Sequence, residues 1–280
     1  RDLTVTGVQT CALPICRKGF DSKFGGRPSP IFSDDRIFSI PIPQNQESPT
    51  KYKDLFFNGI SGSEALKESS VRQVSDNDYC HYDPALNENI GVFGQASSAQ
   101  TELRNSCVGL GDLFLFFGWF KKFSSKGKDL HHIFGWLQIS KIIRGDEEIK
   151  RYLNSKKIKH PHGYGDRSMY SNNTIYVGSK DLAIADKRTN LKGFGLFKNS
   201  AEDLILTSPD HTRSMWKLPE EYFKDSIINK NRLFLNRLEW TNKENFLVNT
   251  NKGPGQEFIL DSETNPAIID WAINLIKQYG

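Results

Sequence analysis

Two apolar segments joined by a short polar turn constrain the fold of this chain more than any other feature. The first, residues 113–120, is a nearly unbroken run of aromatic and aliphatic side chains, and the second, residues 133–143, is rich in aromatic and β-branched ones. Such residues favour buried strands, and each run is too short to cross a membrane as a helix. Residues 126–129 between them have the composition of a turn. The sequence therefore predicts a long β-hairpin at the centre of the core.

Each apolar segment contains a glycine directly before a tryptophan. Gly118 precedes Trp119, and Gly135 precedes Trp136. Because glycine weakens a strand, its presence indicates a bulge, a bound ligand or a second backbone at close range. Two interpretations of the tryptophans stay open: they fill the core, as aromatic residues on strands usually do, or they flank a ligand.

The remaining patterns predict an α+β fold that is mainly β. Of the 280 residues, 37% are hydrophobic and 12% are aromatic, which suffices for a substantial core. Short apolar runs separated by glycine and proline predict further strands, and residues 99–105 and 147–153 predict short peripheral helices. Pro266 followed by apolar residues at helical spacing predicts a C-terminal helix.

The start of the chain differs in character from the rest. It begins at Arg1 rather than at methionine, and residues 5–15 (VTGVQTCALPI) look like the translation of a sequencing-adapter oligonucleotide. We therefore expect residues 1–16 to be non-native and residues 17–280 to form a single domain. Residues 12–16 are nevertheless apolar enough to take the place of a first strand.

Charge and cysteine content narrow the choice of environment and partner. The formal net charge of +4 is spread along the chain, which permits a nucleotide or DNA partner without requiring one. No uncharged apolar run is long enough for a membrane helix, so no membrane partner is expected. The four cysteines show neither metal-finger spacing nor a dense disulfide pattern, which predicts a reducing, cytoplasmic location.

Several common catalytic signatures are missing from the sequence, and no cofactor is indicated. There is no P-loop, dinucleotide-binding fingerprint, nucleophile elbow or zincin helix. His160 and His162, together with His81, Cys80 or His211, include the residue types that bind metals, but their spacing matches no common zinc motif. No metal site is therefore predicted, and His160 and His162 are expected to form hydrogen bonds near a pocket.

Asp21, His81 and Asp83 are the candidate catalytic residues. An imidazole oriented by a carboxylate is the commonest means of moving a proton near neutral pH, and His81 and Asp83 share one side of an extended backbone. The alternative is structural, with both aspartates capping turns and His81 half-buried.

The candidate nucleotide-binding residues fall into three chemical groups. Arginine and lysine bind phosphate, amides read the edge of a base, and tryptophans stack on its ring, although a surface ion pair is an alternative for each cation. The candidates are Lys18, Arg104 and Arg213 for phosphate, Gln95, Gln100 and Asn105 for a base edge, Trp119 and Trp136 for stacking, and His160 and His162 beside the pocket.

Several ordered blocks together resemble one protein family. They include RKGFDS (17–22), GGRPSPIF (25–32), HYDP (81–84), GDLFLFFGWF (111–120), HIFGWLQ (132–138) and HPH (160–162). These blocks resemble the nucleotide modification associated domain 3 family over essentially everything after Cys16. The hairpin is also similar to that of PUA and EVE barrels, which implies a curled mixed or barrel-like sheet.

The resemblance implies two functions. The first is a protein that modifies a nucleotide or a base in DNA, within a phage or bacterial modification system, with Asp21 and His81 transferring protons. The second is a PUA- or EVE-like module that binds modified bases without catalysis, with Trp119 and Trp136 as stacking surfaces. The first function requires that the polar candidate residues converge on one cleft, and this requirement distinguishes it from the second.

Overall fold

The predicted α+β class, with strands in the majority, is confirmed. The computed structural model describes residues 12–184, 187–235, 239–251 and 257–280, and most of the predicted adapter segment lies outside them. Within these residues the helices are α1 (Gly62–Glu68), α2 (Ser97–Asn105), α3 (Asp146–Lys156), α4 (Glu220–Ile228) and α5 (Ala267–Tyr279). The strands are β1 (Ala12–Arg17), β2 (Ser29–Ile31), β3 (Phe56–Phe57), β4 (Ile60–Ser61), β5 (Ala85–Leu86), β6 (Gly91–Gln95), β7 (Leu113–Lys122), β8 (Leu130–Arg144), β9 (Thr174–Gly178), β10 (Asp181–Ile184), β11 (Lys187–Lys192), β12 (Phe194–Leu196), β13 (Met215–Lys217), β14 (Leu247–Asn249) and β15 (Glu257–Asp261).

The predicted hairpin is confirmed as β7 and β8. They pair antiparallel, and the register shifts between Phe116 and Phe117, so β8 carries one extra residue there. Both strand glycines lie against a neighbouring backbone. A Cβ atom on Gly118 would lie 2.9 Å from the Lys18 carbonyl oxygen, and one on Gly135 would lie 2.9 Å from that of Gly195. A bulge and close backbone approach therefore both account for these glycines.

The large sheet is open, so the expected curled or barrel-like closure is wrong. Its order is β15-β1-β7-β8-β9-β6-β5, with β2 also on β7 and β12 also on β8. Strands β1 and β2 run parallel to β7, and the other pairs are antiparallel. Among the described strands no pairing joins β15 to β5. Strands β7 and β8 each pair with two short strands in succession along one edge.

Strand β1 occupies an interior position in this sheet. Residues 12–16 pair with β15, and Ile15, Cys16 and Arg17 pair with β7. The apolar end of the adapter-like segment thus fills the place of a first strand, as its composition suggested. Lys18 continues the ladder by donating its backbone N–H to the Phe117 carbonyl oxygen at 2.8 Å.

Among the residues that the structure describes, three apolar clusters stabilise the fold. The largest joins β1, β7, β8 and β15 to α4 and α5, whose Phe223 and Trp271 rings pack against each other. A second surrounds α1 and includes Tyr52, and a third joins α3 to β6 and β9. The segment at residues 37–43, whose pattern suggested an edge strand, has only isolated bridges because its prolines cannot donate to a ladder. None of the described helices has the length and apolar character needed to cross a bilayer.

Replacing Phe117 with Ala is expected to lower the free energy of unfolding by about 3–5 kcal/mol. The Phe117 ring is fully buried, with its centroid 4.9 Å from that of Trp216 and 5.8 Å from that of Phe258. Urea denaturation measures the change. Phe56→Ala is the matched control, because Phe56 is 75% exposed and its loss should cost less than about 0.5 kcal/mol. Equal costs for the two variants would contradict this packing.

Two buried imidazoles in β8 should make the fold sensitive to acid. Burial lowers the pKa of His131 to about 3 and that of His132 to about 4, whereas both are about 6.5 in an unfolded chain. Below pH 6.5 only the unfolded state binds these protons. The free energy of unfolding should therefore fall by up to about 1.4 kcal/mol per pH unit for each histidine as the pH drops. Denaturation at pH 7 and pH 5 tests this, and His132→Gln should show the shallower dependence.

Candidate active site around Asp83

The centre of the candidate site is the buried carboxylate of Asp83. Its Oδ1 atom accepts the Gly94 backbone N–H at 2.7 Å and lies 3.2 Å from His160 Nε2, off the line of a regular hydrogen bond. Its Oδ2 atom has no hydrogen-bond partner within the described part of the chain, and Lys18 Nζ lies 3.6 Å away. One carboxylate oxygen is thus fixed by the Gly94 amide, while the other faces only longer contacts.

Two more imidazoles point at the second oxygen. Nε2 of His81 lies 3.9 Å from Asp83 Oδ2, and Nε2 of His162 lies 4.0 Å from it. The Asp83 backbone N–H donates to the His81 carbonyl oxygen at 2.8 Å, so a tight turn rather than an extended strand brings these two side chains together. We call Asp83, His81, His160 and His162 the His–Asp cluster.

Several elements deliver these side chains. His81 and Asp83 lie in the segment before β5, Gly94 lies in β6, and Lys18 follows β1. His160 and His162 belong to the 3-10 turn Pro161–Gly163 and the residue before it, which packs on α3. Proline at the first position favours such a turn, and His160 Nδ1 accepts the His162 backbone N–H at 3.3 Å. The proton of His160 is therefore on Nε2, which faces the carboxylate.

Amide side chains determine the tautomers of the other two imidazoles. Asn173 donates from Nδ2 to Asp146 Oδ1 and to the His162 carbonyl oxygen, so its Oδ1 is the acceptor of the 2.6 Å hydrogen bond from His162 Nδ1. His81 Nδ1 lies 3.0 Å from Gln44 Oε1, also an acceptor. With the proton on Nδ1, each Nε2 carries a lone pair directed toward Asp83.

The electrostatics of the cluster follow from burial and from nearby cations. Burial lowers the pKa of His81 to about 4 and holds that of His162 well below its usual range, although Asp83 opposes both shifts. For Asp83, burial opposes ionisation, but Lys18 and His160 outweigh it and lower the pKa of the carboxyl. The Asp83 carboxyl is therefore ionised, and the imidazoles of His81 and His162 are neutral.

The cluster is reached beside Lys18 and His81, whose side chains are 14% and 20% exposed. The loop that follows the histidine turn lies near it. Arg167 is close enough to oppose protonation of His81 and His162, and its guanidinium carbon lies 4.2 Å from the centre of the Tyr170 ring. Tyr164 and Tyr170 are both exposed, whereas Arg167 is only 6% exposed, so this loop combines aromatic surface with a buried cation near the cluster.

Asp83 lines one hollow, and Asn173, which orients His162, lines another. One is mainly apolar and is lined by Asp83, Pro84, Phe38, Leu55 and Phe197. The other is a cleft lined by residues of polar types, which include Asn173, the hydrogen-bond acceptor of His162, and Asp146. The predicted binding residues Gln100 and Arg104 also line this cleft, together with Arg144 and Tyr170.

Asp21, the third predicted catalytic residue, lies in a different environment. Its Oδ1 atom accepts the backbone N–H groups of Lys23 and Phe24 at 2.7 and 2.6 Å, which closes a tight turn. Its charge acts on Arg17 and Arg213. Because Arg17 and Lys18 are consecutive in an extended segment, their side chains point to opposite faces of the sheet. The structure therefore brings His81 and Asp83 together and groups Asp21 with the two arginines.

The predicted stacking residues also lie apart from the cluster. Trp136 is 3% exposed, packs against Phe197 and donates from Nε1 to the Lys192 carbonyl oxygen. Trp119 is half-buried, and the Arg213 guanidinium covers its ring at 4.0 Å. Arg213 also donates to Ser22 Oγ.

The remaining candidates occupy three positions. Gln95 donates to Glu257 Oε1 at 2.6 Å, across from β6 to β15. Gln100 is buried and accepts the Tyr176 hydroxyl, while Arg104 and Asn105 are exposed at the end of α2. Cys80 and His211, considered above as possible metal ligands, bond elsewhere: Cys80 Sγ contacts the Thr50 carbonyl oxygen, and His211 Nδ1 contacts Ser208 Oγ.

Sequence reasoning missed four residues that shape the site. Gln44 and Asn173 orient the imidazoles, Gly94 binds the carboxylate, and Arg167 supplies charge. Arg167 follows the histidine turn by only a few residues, and this proximity was the one available signal. Uncharged amides in loops carry no signal of their own, because only the fold shows what they face.

Gly94→Ala should disrupt the packing of the His–Asp cluster on β6. A Cβ atom at Gly94 would lie 2.3 Å from the His162 ring, so the ring must move or the strand must shift. We expect a loss of about 1–3 kcal/mol in the free energy of unfolding, measured by urea denaturation. Gly109→Ala is the control, since its Cβ would meet only the Cys107 carbonyl oxygen at 3.6 Å. A tolerated Gly94→Ala would mean that His162 does not pack on this strand.

Comparison with known proteins agrees with the sequence blocks. A family-wide sequence profile, described as nucleotide modification associated domain 3, matches residues 14–261, a range that contains the whole His–Asp cluster. Comparison with curated proteins and with solved structures gives no match. Since the profile covers well over half of the chain, the chain belongs to the nucleotide modification associated domain 3 family.

Proposed function

We propose that this protein is an enzyme that acts on a nucleotide or on a base in DNA, in a phage or bacterial modification system, with the reacting atoms bound at the His–Asp cluster. The observation that carries the proposal is the convergence of His81 Nε2 and His162 Nε2 on Oδ2 of buried Asp83. These atoms are electron-pair donors to a proton or a cation. Buried polar atoms of a purely structural core are normally paired, whereas Asp83 Oδ2 has no hydrogen-bond partner within the described part of the chain.

Positive charge near the cluster suits a phosphate-bearing substrate. Lys18 is partly exposed at the opening, and Arg167 lies in the adjacent loop. Arginine binds phosphate oxygens in pairs and lysine binds them as a point charge. In this proposal Lys18 and Arg167 hold the phosphate, whereas Arg213, which sits with Asp21 and Trp119, does not contact the reacting group.

Aromatic and apolar surface beside the cluster suits a base. The hollow lined by Asp83 and Pro84 is walled by apolar side chains, and Tyr164 and Tyr170 are exposed in the neighbouring loop. Ring stacking contributes roughly 1–3 kcal/mol per base without selecting a sequence. Family membership supports a nucleotide over other aromatic substrates.

Expression of the chain in cells should change the nucleosides recovered from DNA or from the nucleotide pool, as measured by mass spectrometry. Asp83→Asn and His81→Ala should reduce the changed nucleoside by at least about 100-fold, because each removes an electron-pair donor from the reaction centre. His211→Ala is the matched control, since His211 is an exposed imidazole in another loop. All variants are compared at equal amounts of folded protein.

The binding-only alternative gives the opposite result. Identical nucleoside profiles in every sample, together with salt-dependent DNA binding that Arg213→Ala abolishes, would support a module that reads bases with Trp119 and would reject catalysis at the cluster. Activity that persists in both Asp83→Asn and His81→Ala would reject this centre as well.

A further inference from the structure

From the same geometry we infer a metal site: His81 Nε2, His162 Nε2 and Asp83 Oδ2 together bind one divalent transition-metal ion. These three ligand atoms, two nitrogens and one oxygen, all lie within 4.8 Å of one another. The spacing of these residues in the sequence did not indicate a metal site, because His162 is far along the chain from the other two ligands.

The distances between the ligand atoms are close to those found around a bound metal ion. A metal ion at about 2.1 Å from each ligand requires ligand atoms roughly 3–4 Å apart. The two Nε2 atoms lie 3.9 and 4.0 Å from Asp83 Oδ2, and all three atoms lie within 4.8 Å of one another. The side chains must therefore move closer around an ion, by a few tenths of an ångström at the two pairs that include Asp83. Direct hydrogen bonds among the three atoms would instead require separations near 3 Å.

The outer contacts are those of an oriented metal site. Histidine ligands of metals usually donate their second ring N–H to an oxygen, which fixes the tautomer and leaves the other nitrogen free to coordinate. His81 does this with Gln44, and His162 does it with Asn173, which Asp146 holds in turn. The Asp83 carboxylate is fixed in the same manner, since the Gly94 N–H bonds Oδ1 and leaves Oδ2 for the ion.

The competing explanation is that Lys18 alone compensates the carboxylate. Lys18 Nζ is 3.6 Å from Asp83 Oδ2, and it lies 4.5 Å from the centre of the Phe93 ring, which also attracts its charge. An ion pair with Lys18 explains the ionised carboxylate, but it does not explain why two imidazole lone pairs are directed at the same oxygen. A cation bound among the three atoms satisfies all of them together.

The ligand types select the class of metal. Imidazole nitrogen favours Zn²⁺, Fe²⁺ and related ions, whereas Mg²⁺ and Ca²⁺ prefer shells made of oxygen alone. Two histidines and one carboxylate also leave coordination positions open for water or substrate, as in catalytic rather than structural metal sites. The inferred ion is therefore a divalent transition metal such as Zn²⁺ or Fe²⁺.

The inferred metal ion adds a chemical mechanism to the proposed function, and its catalytic role rests on that function. A divalent ion with two neutral imidazoles and one carboxylate carries a net positive charge, to which Lys18 and Arg167 add. Such a centre polarises a bound water or phosphate oxygen. The substrate class is then an anionic nucleotide or a DNA strand whose oxygen reaches the open position.

Metal binding is tested directly, without substrate. The full chain is stripped with a chelator and titrated with Zn²⁺, with Co²⁺ as a spectroscopic probe and with Mg²⁺ as the comparison. We expect one Zn²⁺ or Co²⁺ per chain, a visible Co²⁺ spectrum of low coordination number, and no tight Mg²⁺ binding. His81→Ala and His162→Ala should remove the site, and His211→Ala should leave it unchanged.

A partly exposed outer residue keeps the test decisive if the buried variants fail to fold. Gln44→Leu removes the oxygen that orients His81 and should weaken Zn²⁺ binding by roughly 10–100-fold, whereas Gln44→Glu should preserve it. Lys18→Gln should keep or tighten binding, because it removes a competing cation. Absence of one-to-one binding to the folded chain, affinity unaffected by His81→Ala, or affinity unaffected by Gln44→Leu in a folded protein would overturn the metal site.

The proposed function and the metal site can each be rejected without rejecting the other. Stoichiometric metal binding with unchanged cellular nucleosides would reject the proposed function and keep the metal site. Changed nucleosides in cells, produced by a chain that binds no transition metal, would keep the function and reject the ion.

Discussion

The hydrogen-bonded ladder between β7 and β8 is the constraint on which the rest of the structure depends. Every other described strand of the large sheet joins one of these two directly or through one or two intervening strands. Their side chains supply the aromatic centre of the main core, where Phe114, Phe116 and Phe117 are fully buried. Because glycines at 118 and 135 allow neighbouring backbones to approach, β1 and β12 dock closely on this ribbon.

The candidate site exists because this ribbon positions segments that are distant in sequence. Strand β1 pairs with β7 and ends beside Lys18, while β6 reaches the ribbon through β9 and presents Gly94. A carboxylate buried as deeply as that of Asp83 is costly unless donors and positive charge surround it. The Gly94 amide, His160 and Lys18 compensate Oδ1 and the overall charge, and the imidazole lone pairs converge on Oδ2. The same arrangement that makes burial of the charge tolerable also creates a place for a cation.

Part of the site was readable from residues alone. The spacing of His81 and Asp83 predicted that their side chains lie together, and the turn with proline between His160 and His162 marked two further imidazoles. Reasoning by residue type also selected Asp21 and Trp136, whose chemistry is equally suited to a site. Asp21 closes a turn and Trp136 fills the core, because local hydrogen bonding and packing use the same side chains that catalysis and stacking use.

The sequence by itself determined the central hairpin, the mainly β character, the C-terminal helix and the family, because these depend on periodicity and on ordered blocks that survive in one dimension. Tertiary structure alone decided that the sheet stays open, that Asp83 rather than Asp21 lies among the histidines, and that Gln44 and Asn173 set the direction of two lone pairs. These features depend on distances between remote segments. Residue type restricts what a side chain can do, but only its neighbours in space decide which of those interactions it makes.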